Sequence, residues 1–293
     1  MISIHFIVNP IAGTGNHGFS ETFLQDYFDE SQYKLTVKCS SYKGHAIDLT
    51  KESVNQKATI IVACGGDGTI NEVASTLVNT NIPLGIIPVG SGNGLASNLK
   101  IPQNVKKAIE VIKNNHQTKI DVGCVNEHYF FSNVGFGFSA SVIKNYEHLQ
   151  KRTLYYYIKA SIKSYKEFNK KRNIEIEINE LESFANPFLI FISNTNELGY
   201  HVSLTPKASL QDGLLDVLIV PNLNNAKMLL FGIFMLLKKP KTLKEARCFQ
   251  TKAIKLQRNQ GDYFEAQLDG EFLKIQESSI EISINEQALI IIV

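Results

Sequence analysis

The sequence predicts an α/β domain built on a parallel sheet, followed by a mainly antiparallel β domain. Three observations carry this. Over roughly the first 120 residues, short apolar runs alternate with stretches of helical periodicity, the pattern of a parallel sheet covered by helices. After Asp121 strand-like runs follow one another with few helices between them, as antiparallel sheets do. All the strongly glycine-rich loops fall in the first part, each between a strand and a helix.

The elements follow in order. Strands are expected at Ile4–Val8, Lys34–Cys39, Thr59–Ala63 and Leu84–Pro88, with helices near Ser20–Phe28, His45–Glu52, Ile70–Val78 and Val105–Lys113. In the second part, strands are expected at Tyr129–Val134, Ile174–Ile178, Phe188–Ser193, Leu215–Val220, Ala253–Leu256, Phe264–Leu268 and Ile280–Ile284. Helices are expected there at Leu154–Phe168 and Ala226–Leu237. The final apolar run, Ala288–Val293, is read as a strand returning to the first domain. The expected division is therefore residues 1–122, rejoined by 287–293, and residues 123–286.

Composition excludes several classes. With 293 residues, 44% hydrophobic and 20% charged, the chain is globular and not disordered. Lys and Arg number 30 against 28 Asp and Glu, so no global field points to nucleic acid. Cys39, Cys64, Cys124 and Cys248 are scattered, without zinc-site spacing or disulfide density, which fits a reducing cytoplasm. Met1–Val8 has no basic leader region and reads as a first strand. The longest apolar run, Met228–Leu237, covers about half of the roughly 20 residues a bilayer crossing needs. A buried helix, an acyl-chain wall and a membrane-touching face all remain open for it.

Gly13-Thr14-Gly15-Asn16-His17-Gly18 has the bare dinucleotide-binding spacing, yet the next strand ends in Lys38-Cys39-Ser40 without the ribose-binding acid, and no Walker lysine follows. The stronger signal is Gly65-Gly66-Asp67-Gly68-Thr69-Ile70-Asn71-Glu72, between an apolar strand and a helix. Glycines let backbone approach phosphates, and the N–H groups at a helix start favour negative charge. Asp67 is the odd residue there. It implies a bridging cation, a proton-transfer role, or a cap on the helix that follows. Gly90-Ser91-Gly92-Asn93-Gly94 repeats the arrangement, and such loops converge on the carboxyl edge of a parallel sheet.

These residues, in order, resemble the diacylglycerol kinase catalytic-domain family, which includes bacterial lipid kinases and the sphingosine and ceramide kinases. The resemblance runs through Asn9-Pro10-Ile11-Ala12-Gly13, Gly44-His45-Ala46, Gly65–Thr69 and Gly90–Asn93. It continues through Gly135-Phe136-Gly137-Phe138, Asp212-Gly213-Leu214-Leu215-Asp216 and Asp269-Gly270-Glu271. It implies a Rossmann-like, NAD kinase-like nucleotide-binding domain followed by a β-sandwich. The implied chemistry is transfer of the ATP γ-phosphate to a lipid hydroxyl, diacylglycerol or a related lipid such as a sphingoid base, in phospholipid biosynthesis. A kinase for a small polar acceptor and a non-catalytic ATP-binding regulator are the alternatives.

By the same resemblance Asn9, Pro10, Ile11, Ala12, Gly13, Ser40, Gly65, Gly66, Asp67, Gly68, Thr69, Ile70, Asn71 and Ser91 surround ATP. A magnesium ion is implied on the Asp212 side chain with the carbonyls of Ser209 and Leu214. Glu271 matches the proton acceptor, with Asp269 in a network beside it and Asp67 as the rival base. Two positions depart from the pattern: Gly94 and Ser139 stand where the family commonly has acids. The implied partner is a lipid at the inner membrane surface, with no transmembrane segment, no nucleic acid and room for a homodimer. His45 is read as structural or nucleotide-adjacent.

Overall fold

A computed structural model of the chain describes residues 1–13, 15, 18–90, 92–149, 153–168, 175–178, 182–196, 203–237, 239, 242–259, 261 and 263–293. The chain divides into two compact units, Met1–Asp121 with Glu286–Val293, and Val122–Asn285.

The first unit runs β1 (Ile2–Val8), α1 (Glu21–Gln25), β2 (Tyr33–Cys39), α2 (His45–Asn55), β3 (Ile60–Gly65), α3 (Asp67–Leu77), β4 (Leu84–Pro88), α4 (Gly94–Asn98) and α5 (Val105–Asn114). Strands β2, β1, β3 and β4 pair in that order and in parallel. Every residue of β3 and β4 is buried, because a central parallel strand is covered on both faces and reads as an uninterrupted apolar run. The register aligns Val8 with Cys39 and with Cys64, and Gly65 with Pro88. The segments after β1, β2, β3 and β4 therefore leave one edge of the sheet side by side. Strand order reverses at β1, which pairs with β2 on one side and β3 on the other. Ligands of open α/β sheets bind at such a switch point.

β5 (Gln117–Val125) leads into the second unit, which runs β6 (His128–Phe130), β7 (Asn133–Gly137), α6 (Phe138–Glu147), α7 (Leu154–Phe168), β8 (Glu175–Ile178), β9 (Glu182–Ala185), β10 (Leu189–Ser193) and β11 (Leu215–Val220). It continues through α8 (Asn225–Leu236), β12 (Arg247–Thr251), β13 (Ala253–Arg258), β14 (Phe264–Leu268), β15 (Glu271–Ile275) and β16 (Ser279–Ile292). The end of β16 pairs with β4 of the first unit's sheet, Ile291 beside Leu84.

An antiparallel sheet, β12-β11-β10-β7-β14-β15, is covered on both faces. Ile190 and Ile192 of β10, and Val217 and Ile219 of β11, join a core with Ile176, Ile178, Ile254, Leu256, Ile280 and Ile282 from β8, β13 and β16, which is the interior of a β-sandwich. The alternate residues, Leu189, Phe191, Leu218 and Val220, join a second core with Phe168 and Phe231 from α7 and α8. An α/β unit and an antiparallel β-sandwich are the two classes the sequence predicts.

Several elements differ from expectation. The strand expected over Tyr129–Val134 is two strands, β6 and β7, because the N–H groups of Phe131, Ser132 and Asn133 bond the Asp269 carboxylate. Helix α6 was not expected, nor were α4, β5, β9, β12 and β15. β16 is one strand where two were expected. Within Met228–Leu237, Phe231 enters the core while Leu230, Ile233 and Leu237 are exposed. Ile174, the expected start of a strand, lies outside the described residues. Among the described residues no helix is long and apolar enough to cross a membrane.

Candidate active site

The first turns of α3 tie together three other segments at the sheet edge. Thr69 Oγ1 accepts a hydrogen bond from Asn9 Nδ2 at 3.1 Å, joining the loop after β1. Asp67 accepts the N–H groups of Asn93 at 2.8 Å and Gly94 at 2.6 Å, joining the loop after β4. Glu72 accepts those of Gly44 at 2.8 Å and Ala46 at 3.2 Å, fixing the start of α2. One helix thereby sets the mutual position of four loops.

Of the three roles open to Asp67, a cap on its own helix is not the one the carboxylate takes. Gly66 is the N-cap of α3 and no side chain caps it there; the Asp67 carboxylate instead meets the start of α4. Asn93 folds that third loop on itself, giving Nδ2–H to the Gly90 carbonyl at 2.7 Å and accepting the Gly90 N–H at 3.0 Å. The second and third loops touch through glycines. A Cβ on Gly90 would lie 2.4 Å from the Gly66 Cα, so only glycine fits the crossing.

The loop after β1 turns on Asn9. Its N–H reaches the Cys64 carbonyl at 2.9 Å, and its Oδ1 accepts the Ile11 N–H at 3.2 Å in an Asx turn. Pro10 and Gly13 are exposed, Ile11 is 84% exposed, and Ala12 is half-buried. Ser40 follows β2 and gives its N–H to the Val8 carbonyl. Gly65 ends β3, Gly68 and Asn71 lie in α3, and Ile70 is buried in the core beneath them. Asn9–Gly13, Ser40 and Gly65–Asn71 thus share one sheet edge, while Ser91 lies outside the described residues.

In the second unit Asp269-Gly270 forms a two-residue hairpin turn linking β14 to β15, with Leu268 opposite Glu271. Both turn residues have positive φ, 47° and 85°, as the twist of a tight hairpin requires. Asp269 Oδ1 accepts the N–H groups of Ser132 at 2.7 Å and Asn133 at 2.9 Å, and Oδ2 accepts that of Phe131 at 2.8 Å. Buried Gln267 supports the turn, accepting the Gly270 N–H at 2.9 Å and donating to Asn133 Oδ1 at 2.7 Å. Glu271, half-buried, begins β15.

The Ser209–Leu214 segment is a turn. Ser209 Oγ accepts the Gln211 N–H at 3.2 Å, Asp212 Oδ1 accepts the Leu214 N–H at 3.1 Å, and Gly213 is left-handed. Gln250 Nε2 lies 3.4 Å from Asp212 Oδ2 and 3.0 Å from Asp216 Oδ2. The available donors, a carboxylate and main-chain carbonyls, are all oxygens and suit a hard divalent cation.

At the departures, the Gly94 N–H is one of the two that Asp67 holds, and Ser139 packs in the first turn of α6 against Gly135. A Cβ on Gly135 would lie 2.3 Å from Ser139 Oγ. Residues the sequence reading left without a role include Glu72, Asn93, Asn133 and Gln267. Glu72 and Asn93 stood inside the glycine-rich motifs, and Asp-Gly between two apolar runs is itself a hairpin signal.

The comparisons with known proteins agree with this layout. Residues 3–125 match the diacylglycerol kinase catalytic domain, and residues 132–293 match the YegS C-terminal NAD kinase beta sandwich-like domain. A diacylglycerol kinase of Bacillus subtilis (strain 168) is 29% identical over 275 residues, 91% of this chain and 88% of its own. One of Staphylococcus saprophyticus is 29% identical over 205 residues, 68% of this chain and 67% of its own. The crystal structure of a diacylglycerol kinase from Bacillus anthracis str. Sterne matches with a TM-score of 0.72 at 22% identity, over 99% of this chain and 96% of that one, which is a likeness of fold. With both of its units matched, the chain belongs to the diacylglycerol kinase catalytic-domain family of lipid kinases.

Proposed function

We propose that the chain transfers the γ-phosphate of ATP, taken up as its magnesium complex, to the hydroxyl of diacylglycerol or a related lipid. The observation that carries the nucleotide half is the sheet edge at the β1/β3 switch point, where α3 draws four loops together. Main-chain N–H groups around Gly65–Gly68 and the start of the 11-residue α3 are suited to phosphate. Asn9–Gly13, Ser40, Asn71 and Ser91 complete the proposed ATP contacts. Phosphoryl transfer asks mainly for positioning and charge neutralisation.

The acceptor oxygen forms its bond to the γ-phosphorus as the bond to the departing ADP oxygen breaks, and the hydroxyl proton goes to a carboxylate. We assign that carboxylate to Glu271. Asp67 and Asp269 each spend both oxygens on main-chain N–H groups, which favours holding loops over taking a substrate proton. Asp269 then acts as a positioning residue for the turn that carries Glu271. Asp212 and the carbonyls of Ser209 and Leu214 would hold a magnesium ion, whose chemistry there is to neutralise charge beside Asp216 and stiffen the turn.

For the acceptor, the second unit contains a cavity of about 710 Å³ whose lining includes Phe136, Phe168, Ile176 and Ile190 together with Arg258 and the ion pairs Lys144–Glu265 and Lys163–Glu167. A lining that is part apolar and part charged suits an amphiphile. Helix α7 exposes Tyr155, Ile158 and Ile162 with Lys159, Lys163 and Lys166, a composition suited to a peripheral site on an anionic membrane. Failure to sediment with anionic vesicles would remove that part.

The test is incubation with γ-labelled ATP, magnesium and vesicles of mixed lipid extract; no label in lipid sinks the proposal. In single turnover, Glu271→Gln should slow transfer about 10²- to 10⁴-fold while leaving ADP affinity unchanged. Asp67→Asn should chiefly weaken nucleotide binding. An active Glu271→Gln enzyme reverses the assignment.

A further inference from the structure

The segment between β2 and α2 is pinned throughout, yet it turns an aromatic ring outward. Ser40 is held by the Val8 carbonyl at 2.8 Å, and Gly44 and Ala46 by Glu72. Between them Tyr42 is 63% exposed. It stacks on His45 with ring centroids 4.5 Å apart and planes within 7°. His45 is itself fixed, because Nδ1 accepts the Ser41 N–H at 3.0 Å and the His45 N–H reaches the Tyr42 carbonyl at 3.2 Å. One face of the tyrosine rests on the imidazole and the rest of the ring meets solvent.

An exposed aromatic usually belongs to a mobile side chain, and ordering it on binding costs entropy. Here that ordering is already built in. The location is also specific. Tyr42 is two residues beyond Ser40, on the sheet edge that carries the glycine loops. β2 lies two strands from β3, roughly 10 Å by the inter-strand spacing. That separation is comparable with the distance from the phosphates to the base of an extended nucleotide. On the β4 side, Asp67 ties the loop to α3 through the Asn93 and Gly94 N–H groups.

We propose that Tyr42, backed by His45, is the stacking platform for the adenine base, with the phosphates directed toward Gly65–Gly68. This rests on the nucleotide reading given above. A flat aromatic face recognises a base with little discrimination among bases, so the platform supplies affinity more than selectivity.

The chain contains no tryptophan, so Tyr42→Trp gives a single reporter whose emission ADP should quench to saturation. Tyr42→Phe should bind ADP within twofold of wild type. Tyr42→Ala should bind ADP about tenfold more weakly, in the range of base–aromatic stacking, and bind tripolyphosphate, which has no base, as wild type does. In turnover the loss should appear in KM for ATP with kcat kept. Unchanged ADP affinity in Tyr42→Ala, or Tyr42→Trp emission that saturating ADP does not move, overturns the platform alone. Equal weakening for ADP and tripolyphosphate also overturns it, since the effect is then structural. A wild-type chain that binds no ADP overturns the nucleotide reading and the platform together.

Discussion

Asp269 offers the sharpest separation of a structural from a chemical role. Its carboxylate accepts three main-chain N–H groups, at 2.7, 2.8 and 2.9 Å. Hydrogen bonds to a charged acceptor contribute about 1.5–3 kcal/mol each. Three sharing one carboxylate do not add in full, and Asp269 is only partly buried, so water recovers some of the loss. Asp269→Ala is expected to cost about 3 kcal/mol. Asp269→Asn keeps an oxygen for the two bonds now made to Oδ1 and keeps a residue type tolerated at φ 47°. It loses the bond from the Phe131 N–H, sets an amide NH2 against that donor and makes the two remaining bonds neutral, at a cost of about 2 kcal/mol. With a slope near 2 kcal/mol per molar urea, the midpoints fall by about 1.5 M and about 1 M. Urea titration followed by far-ultraviolet circular dichroism reads both. An unshifted midpoint for Asp269→Ala, with phosphoryl transfer lost, would refute the structural account and make Asp269 part of the chemistry.

Gly90→Ala places a Cβ 2.4 Å from the Gly66 Cα and 2.8 Å from Asn93 Oδ1. Two main chains must separate, and about 2 kcal/mol of stability should go with a several-fold loss of ADP affinity, read by urea titration and calorimetry; wild-type affinity would show that the loops do not act as one site. His5 is 4% exposed, and its Nδ1 has no hydrogen-bond partner among the described residues. Burial first, then Lys38 and Lys34, hold its pKa below 6.5, against a smaller opposing effect of Glu52. The unfolded chain therefore takes up a proton below about pH 6.5 that the folded chain does not, and this contribution is present above that pH and lost as pH falls. Wild type should lose more of its urea midpoint between pH 7.5 and 5.5 than His5→Leu does; equal losses would remove His5 from the acid response.

What was legible in the sequence follows from range. Thr59–Ala63 reads as a strand because a central parallel strand is apolar on both faces, and the glycine-rich loops announce themselves by composition. The role of Asp67 does not, since its partners lie 26 and 27 residues along the chain and meet it only once the sheet is assembled. A local cap was the short-range alternative, beside a bridging cation and a proton-transfer role. Tyr129–Val134 has strand composition throughout, and what divides it is a carboxylate 136 to 138 residues away. Helix α6 opens with Phe138-Ser139-Ala140-Ser141, whose small polar residues give no helical stripe, and is fixed instead by packing on β7, β14 and β15. The Asp269-Gly270 turn, by contrast, is legible from its two residues alone, since Asp-Gly between apolar runs suits the positive φ of a two-residue hairpin.

The acids of this chain make a general point about motif residues. Asp67, Glu72 and Asp269 each turn both carboxylate oxygens to main-chain N–H groups of a segment distant in sequence. A carboxylate suits this task because it accepts several short, charge-assisted bonds, and a loop has N–H groups that no ladder satisfies. The negative charge of Asp67 among the proposed phosphate loops is thereby directed at donors, so its presence does not by itself require a bridging cation. An acid retained in a motif can thus be retained for the loop it holds. Glu271, proposed above as the proton acceptor, begins the strand that follows the turn which Asp269 and Gln267 secure.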